Sequence, residues 1–70
     1  MAEVRSEMVA NVWKVVVKAG DQVAAGDPLV ILESMKMEIP VEAPEAGTVQ
    51  QLAVEEGGVV QEGDLIARIG

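Results

Sequence analysis

The sequence contains no cysteine and no histidine. A disulfide, a thiolate nucleophile and a Cys/His metal site are therefore impossible, and neither a Ser–His nor a Cys–His dyad can be assembled. The carboxylates lack the ordered ligand spacing of a cation site, so we expect no metal. These absences make an enzyme in its own right the least favoured function, and the lack of cysteine fits a cytoplasmic location.

Aromatic residues are almost as scarce, because Trp13 is the sole one in a chain that is 50% hydrophobic. The core must therefore be built from Val, Ile, Leu and Ala, and the β-branched members of that set favour sheet. A chain of 70 residues allows one domain, residues 1–70, without room for both a packed core and a deep substrate pocket.

Basic residues are few: 5 Lys and Arg stand against 12 Asp and Glu, and the net charge is −7. Such a chain repels phosphate backbones and anionic lipid headgroups. No apolar run approaches the ~20 residues of a membrane span, and the first residues lack the pattern of a signal peptide. We expect a monomeric domain that binds neither nucleic acid nor membrane.

An internal repeat organises the sequence. Residues 8–33 align with residues 45–70 without a gap, at a constant offset of 37. The identical pairs are Val12/Val49, Val17/Val54, Gly20/Gly57, Val23/Val60, Gly26/Gly63 and Asp27/Asp64. Trp13 aligns with Gln50, which indicates that the indole faces outward, either as a partner contact or as one of the isolated exposed apolar residues that are common on protein surfaces.

Each half of the repeat has the order strand, turn, apolar anchor, turn, strand. The strands are expected at residues 12–17, 29–32, 49–54 and 65–69. Val23 and Val60 are the anchors, which should close the barrel ends between turns of Gly and Gly-Asp. No segment shows sustained helical periodicity. The sequence predicts an all-β fold, a flattened barrel or sandwich with pseudo-two-fold symmetry, because each half alone would expose an apolar face.

The segment between the halves, residues 33–40, joins the last strand of the first half to the next strand. We predict a tight hairpin with Ser34–Met37 at or near the turn, followed by an edge strand at 38–43 that tolerates Pro40. This turn has no Gly, Asn or Asp, although two-residue hairpins favour them, so it is a candidate functional site. Under the pseudo-symmetry the counterpart of Lys36 falls past the last residue. The chain ends should therefore lie together at the opposite end of the domain.

The segment Glu33-Ser34-Met35-Lys36-Met37-Glu38 resembles the biotin attachment motif, in which Met-Lys-Met follows Ala or Ser. The Gly-Asp turns and residues 39–49 resemble the same family. Over essentially its whole length the chain is similar to biotin carboxyl carrier proteins and to the biotinyl domains of multidomain carboxylases. The resemblance implies two four-stranded sheets with the lysine on a hairpin turn. Since the halves align without a gap, we expect no thumb insertion of the kind that some bacterial carriers have.

The resemblance also implies a function and its partners. A biotin ligase would join biotin to the ε-amine of Lys36 through biotinyl-adenylate. A biotin carboxylase would load CO2 onto the attached biotin, and a carboxyltransferase would pass it to an acceptor such as an acyl-CoA or pyruvate. The flanking residues of the motif, expected to serve recognition, are Met35, Met37, Ser34, Glu33 and Glu38.

Two features of Met-Lys-Met suit a carrier. In an extended chain, Met35 and Met37 would point to one face and Lys36 to the other. Methionine adapts to different surfaces, and a carrier must meet a ligase and two active sites in turn. The alternative is that both methionines merely pack over the barrel end. Lys36 is interpreted as a substrate rather than a catalyst, because the chain has no histidine to take its proton.

Two other functions remain open from the residues. A lipoyl carrier has the same fold and a modified hairpin lysine, but its motif typically reads Asp-Lys-Ala or Asp-Lys-Val, so methionine on both sides favours biotin. An unmodified barrel that serves as an adaptor in a larger assembly is the second alternative. Adaptor barrels of export pumps are usually split by a long helical hairpin, for which this chain has no room.

Overall fold

The computed structural model describes residues 2–70, which form eight β-strands. The strands are β1 (Ala2–Arg5), β2 (Ala10–Val15), β3 (Gln22–Val23), β4 (Pro28–Ser34), β5 (Met37–Glu42), β6 (Gly47–Leu52), β7 (Val59–Val60) and β8 (Leu65–Ile69). They build two antiparallel four-stranded sheets, ordered β1-β8-β6-β3 and β5-β4-β2-β7. The expected all-β architecture of two four-stranded sheets is confirmed. Within residues 2–70, no helix has the length and apolar character to cross a membrane.

The repeat seen in the sequence is also a repeat of the backbone. Strands β2 and β3 recur as β6 and β7 at the same offset, and the loops at 16–21 and 53–58 have equal length, so no thumb is inserted. Each short strand pairs with the other half: β3 with β6, and β7 with β2. Neither half can therefore complete its sheet alone, which explains why the two halves form one folding unit.

Backbone hydrogen bonds outside the strands repeat in the same way. The N–H of Gly57 donates to the carbonyl of Val12 at 2.9 Å, and the N–H of Gly20 donates to the carbonyl of Val49 at 2.8 Å. The loop after the first strand of each half is thus held against the first strand of the other half. These reciprocal bonds give hydrogen-bond partners to backbone groups of the loops that would otherwise need water.

The core lies between the two sheets and consists of small and branched apolar side chains. The most deeply buried large ones are Leu29, Leu32, Ile66, Ile69, Val12, Val30 and Val49. Val23 and Val60, the predicted anchors, are buried in their short strands. In β2 the side chains of Ala10 and Val12 are buried while Asn11 is exposed, which is the alternation of a strand with one face on the core.

The turns follow the predicted chemistry. Asp27 accepts a hydrogen bond from the N–H of Ala24 at 2.8 Å, and Asp64 accepts one from the N–H of Gln61 at 2.9 Å. The glycine before each aspartate has a left-handed φ, +91° and +90° respectively. Each Gly-Asp pair therefore closes its turn through both the permitted backbone and a side-chain acceptor.

Several strand boundaries differ from the sequence-based expectation: β4 spans 28–34 where 29–32 was expected, and β5 spans 37–42 where 38–43 was expected. The first strand of each half starts and ends two residues earlier than expected, at 10–15 and 47–52. The run of valines after Lys14 hides the alternation of strand residues, and Val16 is 45% exposed in the loop. Strand β1 was not identified from the sequence, because its pairing partner β8 is distant in the chain. Strand β5 lies at a sheet edge, as expected from Pro40.

Leu29 is fully buried, so Leu29→Ala should lower the free energy of unfolding by about 2–5 kcal/mol through lost burial and a cavity. Urea unfolding followed by circular dichroism measures the change. Val16→Ala, at an exposed loop position, is the matched control and should change stability by less than about 0.5 kcal/mol. A similar loss in both variants would contradict the core described above.

Glu3 on β1 lies 2.9 Å from the guanidinium of Arg5 and 3.2 Å from that of Arg68. The hydrogen bond and charge of Arg5, followed by those of Arg68, hold the pKa of Glu3 below its usual value of 4.5. The resulting stabilisation is present above pH 4.5 and disappears as the pH falls through the lowered pKa.

Glu3→Gln should therefore be less stable than the original chain at neutral pH, and the difference should shrink below pH 4.5. Unfolding by urea at a series of pH values tests this. A difference that stays constant into the acid range would mean that the carboxylate charge of Glu3 contributes nothing.

Candidate functional site

The hairpin between β4 and β5 is closed by a turn of only two residues, Met35 and Lys36. Ser34 pairs with Met37 as the last rung of the ladder. The φ angles of Met35 and Lys36 are 53° and 65°, and positive φ at both central residues is the signature of a type I′ turn. The predicted tight hairpin at Ser34–Met37 is confirmed.

This turn places two ordinary L-residues in the left-handed region. The cost is about 1–2 kcal/mol for each, which is why Asn and Gly normally occupy such positions. Met35 and Lys36 are the only non-glycine residues with positive φ within residues 2–70. The expectation of an extended Met-Lys-Met with alternating faces is wrong, because the backbone at Met35 and Lys36 curls rather than extends.

The side chains around the turn project into solvent. Met35 is 91% exposed and Met37 is 61% exposed, and Lys36 is exposed between them. The alternative in which both methionines merely cover the barrel end is therefore wrong. The ion pairs within residues 2–70 join Glu3 to Arg5 and Arg68, so no carboxylate there pairs with the amine of Lys36.

The turn stands on a continuous strand ladder. Below it, β4 and β5 pair continuously from Ser34–Met37 back to Val30–Val41. Leu32, the second residue before Ser34, is 2% exposed and anchors the ladder in the core. The barrel thus fixes the position of the turn while leaving the amine of Lys36 free to move on its side chain.

The other residues of the motif lie on the first rungs of the same ladder. Glu33 and Glu38 are directly opposite each other, on the next rung after Ser34–Met37. Like charges in facing positions are destabilising, so this pair is not explained by the stability of the hairpin. Glu38 is exposed, whereas Glu33 and Ser34 are half-buried. The structure brings all six motif residues to one end of the barrel.

Ala2 and Ile69, near the two chain ends, lie at the other end of the barrel, as the repeat indicated. Ala2 pairs with Ile69, and β1 leads from there to the loop before β2. At the far end of that path, Asn11 in β2 pairs with Glu33 beside the turn. Two surface grooves, of about 320 and 310 Å³, have linings that do not include Lys36. Lys36 is exposed on the turn and lines neither groove.

Comparison with known proteins agrees with this geometry. Residues 2–69 match the sequence profile of a family described as "Biotin-requiring enzyme". The chain belongs to this family. It is 61% identical over 70 residues to a protein of Mycobacterium leprae named "Biotinylated protein TB7.3 homolog", with 99% of each chain covered. It is 49% identical over 63 residues to the "Biotin/lipoyl attachment protein" of Bacillus subtilis, covering 90% of this chain and 86% of that one.

A solved structure shares the fold of this member of the biotin-requiring family. The crystal structure of Kluyveromyces lactis urea carboxylase superimposes with a TM-score of 0.91 at 39% identity. The match covers 99% of this chain and 6% of the urea carboxylase chain. The same barrel therefore occurs both in short proteins and as a small part of a large carboxylase.

The left-handed turn suggests a stabilising substitution. Replacing Met35 by Asn and Lys36 by Gly should raise the free energy of unfolding by about 1–2 kcal/mol, because these residues tolerate positive φ at lower cost. Urea unfolding provides the measurement. Met37→Asn, in strand β5, is the control and should give no gain. If the double variant is no more stable than the original chain, the turn stores no strain.

Proposed function

We propose that Lys36 is the attachment site of biotin and that residues 1–70 are one biotin carrier domain. The observation that carries this proposal is the exposed lysine at the centre of a strained two-residue turn, in a chain of the biotin-requiring family. The domain is a carrier and not a catalyst. A protruding, unpaired amine on a rigid ladder fits an amide-linked group, because nothing has to move aside for the link to form.

The attachment reaction needs a second protein. The amine of Lys36 attacks the acyl carbonyl of biotinyl-adenylate held by a biotin ligase, the amide bond forms, and AMP leaves. A lysine amine in water is ordinarily protonated near neutral pH, so the ligase must supply the group that accepts the proton. This chain has no histidine for that role. Since the activated intermediate is made from ATP, the proposal places the reaction in the cytoplasm.

The motif residues give the ligase its recognition surface. Met35 and Met37 present adaptable apolar contacts on both sides of the lysine. Ser34 is the last residue of β4, and the carboxylates of Glu33 and Glu38 frame the turn from the next rung. The strained turn serves this recognition by turning consecutive side chains outward instead of to alternate faces.

The carrier then works between two enzymes, a biotin carboxylase and a carboxyltransferase. When attached, biotin supplies the atom that holds a carboxyl group in transit. The contribution of this chain is mechanical: the barrel stays rigid, and the lysine side chain with its linker provides a flexible arm. The position of Lys36 opposite the chain ends keeps that arm clear of any tether.

A lipoyl carrier is the second candidate, because a relative at 49% identity is named a biotin/lipoyl attachment protein. Lipoyl attachment would use the same exposed amine and the same hairpin. The methionines on both sides of Lys36 favour biotin, since the lipoyl motif typically has aspartate before the lysine.

The test is incubation of the chain with biotin, ATP and a biotin ligase, followed by intact mass and peptide mapping. We expect one biotinyl adduct on Lys36, and none in Lys36→Arg, which keeps the positive charge. Lys14 and Lys18 remain in that variant and serve as internal controls for non-specific acylation.

Each contrary result has a distinct meaning. An adduct formed only by a lipoyl ligase would move the assignment to the lipoyl carriers. An adduct that persists in Lys36→Arg would place the attachment at another amine. No adduct with either ligase would contradict the carrier function and leave an unmodified adaptor barrel.

A further inference from the structure

The internal repeat allows the two outer sheet surfaces to be compared position by position. We call the outer surface of sheet β5-β4-β2-β7, which bears the hairpin, the Lys36 face, and that of sheet β1-β8-β6-β3 the opposite face. In both sheets the first long strand has a bulge at the same place, between Val12 and Lys14 and between Val49 and Gln51. The backbones of the two faces are therefore equivalent.

The side chains at equivalent positions are not equivalent. On the Lys36 face Trp13 is 48% exposed and Val59 is 61% exposed, and Pro40 is exposed opposite the half-buried Ile31. The 37-residue repeat aligns each of three residues of the Lys36 face with one of the opposite face: Trp13 with Gln50, Ile31 with Arg68, and Val59 with Gln22. Pro40 pairs with Ile31 and Glu3 pairs with Arg68, so Pro40 corresponds to Glu3. Every apolar residue of the set has a polar or charged counterpart.

The opposite face is an internal control for what the fold requires. The same backbone folds there with polar residues, and Glu3 bridges Arg68 and Arg5 at 3.2 and 2.9 Å. Apolar residues at these positions are therefore not needed to build the sheet. Lys14, which is exposed and lies directly opposite Ile31, is the charged member of this otherwise apolar group. Exposed apolar residues clustered on a monomer commonly mark a protein contact. The apolar Lys36 face thus needs an explanation outside the fold.

We propose that the Lys36 face is the docking surface for the biotin ligase, with Trp13 at its centre. This inference rests on the proposed function, because it assigns a partner to the surface next to the modified lysine. The ligase surface that matches is apolar opposite Trp13 and Ile31, and cationic where it meets the facing carboxylates of Glu33 and Glu38.

The distance between the barrel and the reacting atom distinguishes the ligase from the other two enzymes. Before modification, Lys36 offers only its own four-carbon stem, so the ligase active site must come close to the barrel. After modification the arm is much longer, and the carboxylase and carboxyltransferase can work with the barrel further away. A second copy of the chain is disfavoured on this face, because each copy has a net charge of −7.

The dimensions agree with one continuous contact. The Ile31–Pro40 pair lies three rungs below Ser34–Met37, which corresponds to about 10 Å along the ladder. A protein interface of standard size covers about 800 Å² on each partner, so a ligase seated on the turn extends over this distance. Trp and branched apolar residues at the centre of such contacts commonly contribute most of the affinity.

The repeat itself supplies the test variants. Trp13→Gln and Ile31→Arg place on the Lys36 face the residues that the same backbone already carries on the opposite face. We expect each to lower kcat/KM for biotinylation by about tenfold or more, through KM, with little change in kcat. Gln51→Ala on the opposite face is the matched control and should leave both parameters unchanged. Thermal unfolding of each variant verifies that the barrel is intact.

A direct binding measurement uses the single tryptophan of the chain. With 5-fluorotryptophan incorporated, Trp13 gives one fluorine resonance, and Lys36→Ala prevents turnover during the titration. We expect this resonance to shift or broaden on addition of unlabelled ligase loaded with biotinyl-adenylate. The Ile31→Arg substitution in the same background should weaken that response.

The outcomes separate this proposal from the proposed function. Normal kinetics in Trp13→Gln and Ile31→Arg, with a fluorine resonance that ignores the ligase, would overturn the docking surface while leaving Lys36 as the biotin site. Lack of biotinylation of the original chain would overturn the function itself. A dimer in sedimentation that Trp13→Gln dissociates would show that the face binds a second copy instead.

Discussion

The fold depends on the exchange of backbone hydrogen bonds between its two halves. The N–H groups of Gly57 and Gly20 donate to Val12 and Val49, and each short strand completes the sheet of the other half. A chain this short exposes much of its surface even when folded, so it has little core to spare. Reciprocal pairing removes unsatisfied backbone groups from both halves at once and holds the two sheets over one shared core.

The proposed biotin site lies at one end of this symmetric framework. The repeat maps the Lys36 hairpin onto the positions after Ile69, which pairs with Ala2, so residues 2–70 contain one such hairpin. Backbone strain is similarly one-sided: within residues 2–70, positive φ outside glycine occurs at Met35 and Lys36 alone. The stable barrel tolerates this cost, and strain that the surroundings maintain is typical of functional positions.

Symmetry also separates what folding requires from what binding requires. Where two halves share a backbone, a position that is apolar in one half and polar in the other is not required by the sheet to be apolar. The buried pairs Val12/Val49 and Val23/Val60 are identical, and the fully buried pairs Leu29/Ile66 and Val30/Ala67 differ but stay apolar, because the core excludes polar side chains. Trp13 and Gln50 differ because no such demand acts at the outer surface. The apolar character of the Lys36 face is therefore not required by its sheet.

Much of the fold and of the candidate site could be predicted from the sequence. Some parts could not be predicted in this way. The lack of histidine and cysteine, the 37-residue offset and the Gly-Asp turns are local features, and they led to an all-β barrel with Lys36 on its hairpin. The absence of Gly or Asn at the turn signalled a functional site, although not the left-handed φ of Met35. Strand β1, the exchange of β3 and β7 between sheets, and the exposure of the methionines emerged only in three dimensions. The exposure of the methionines follows from the left-handed turn, which the residues at the turn do not favour. Strand β1 and the exchange of β3 and β7 depend on which distant strands pair, and the apolar pattern of a single segment does not specify its pairing partner until the strands meet across the core.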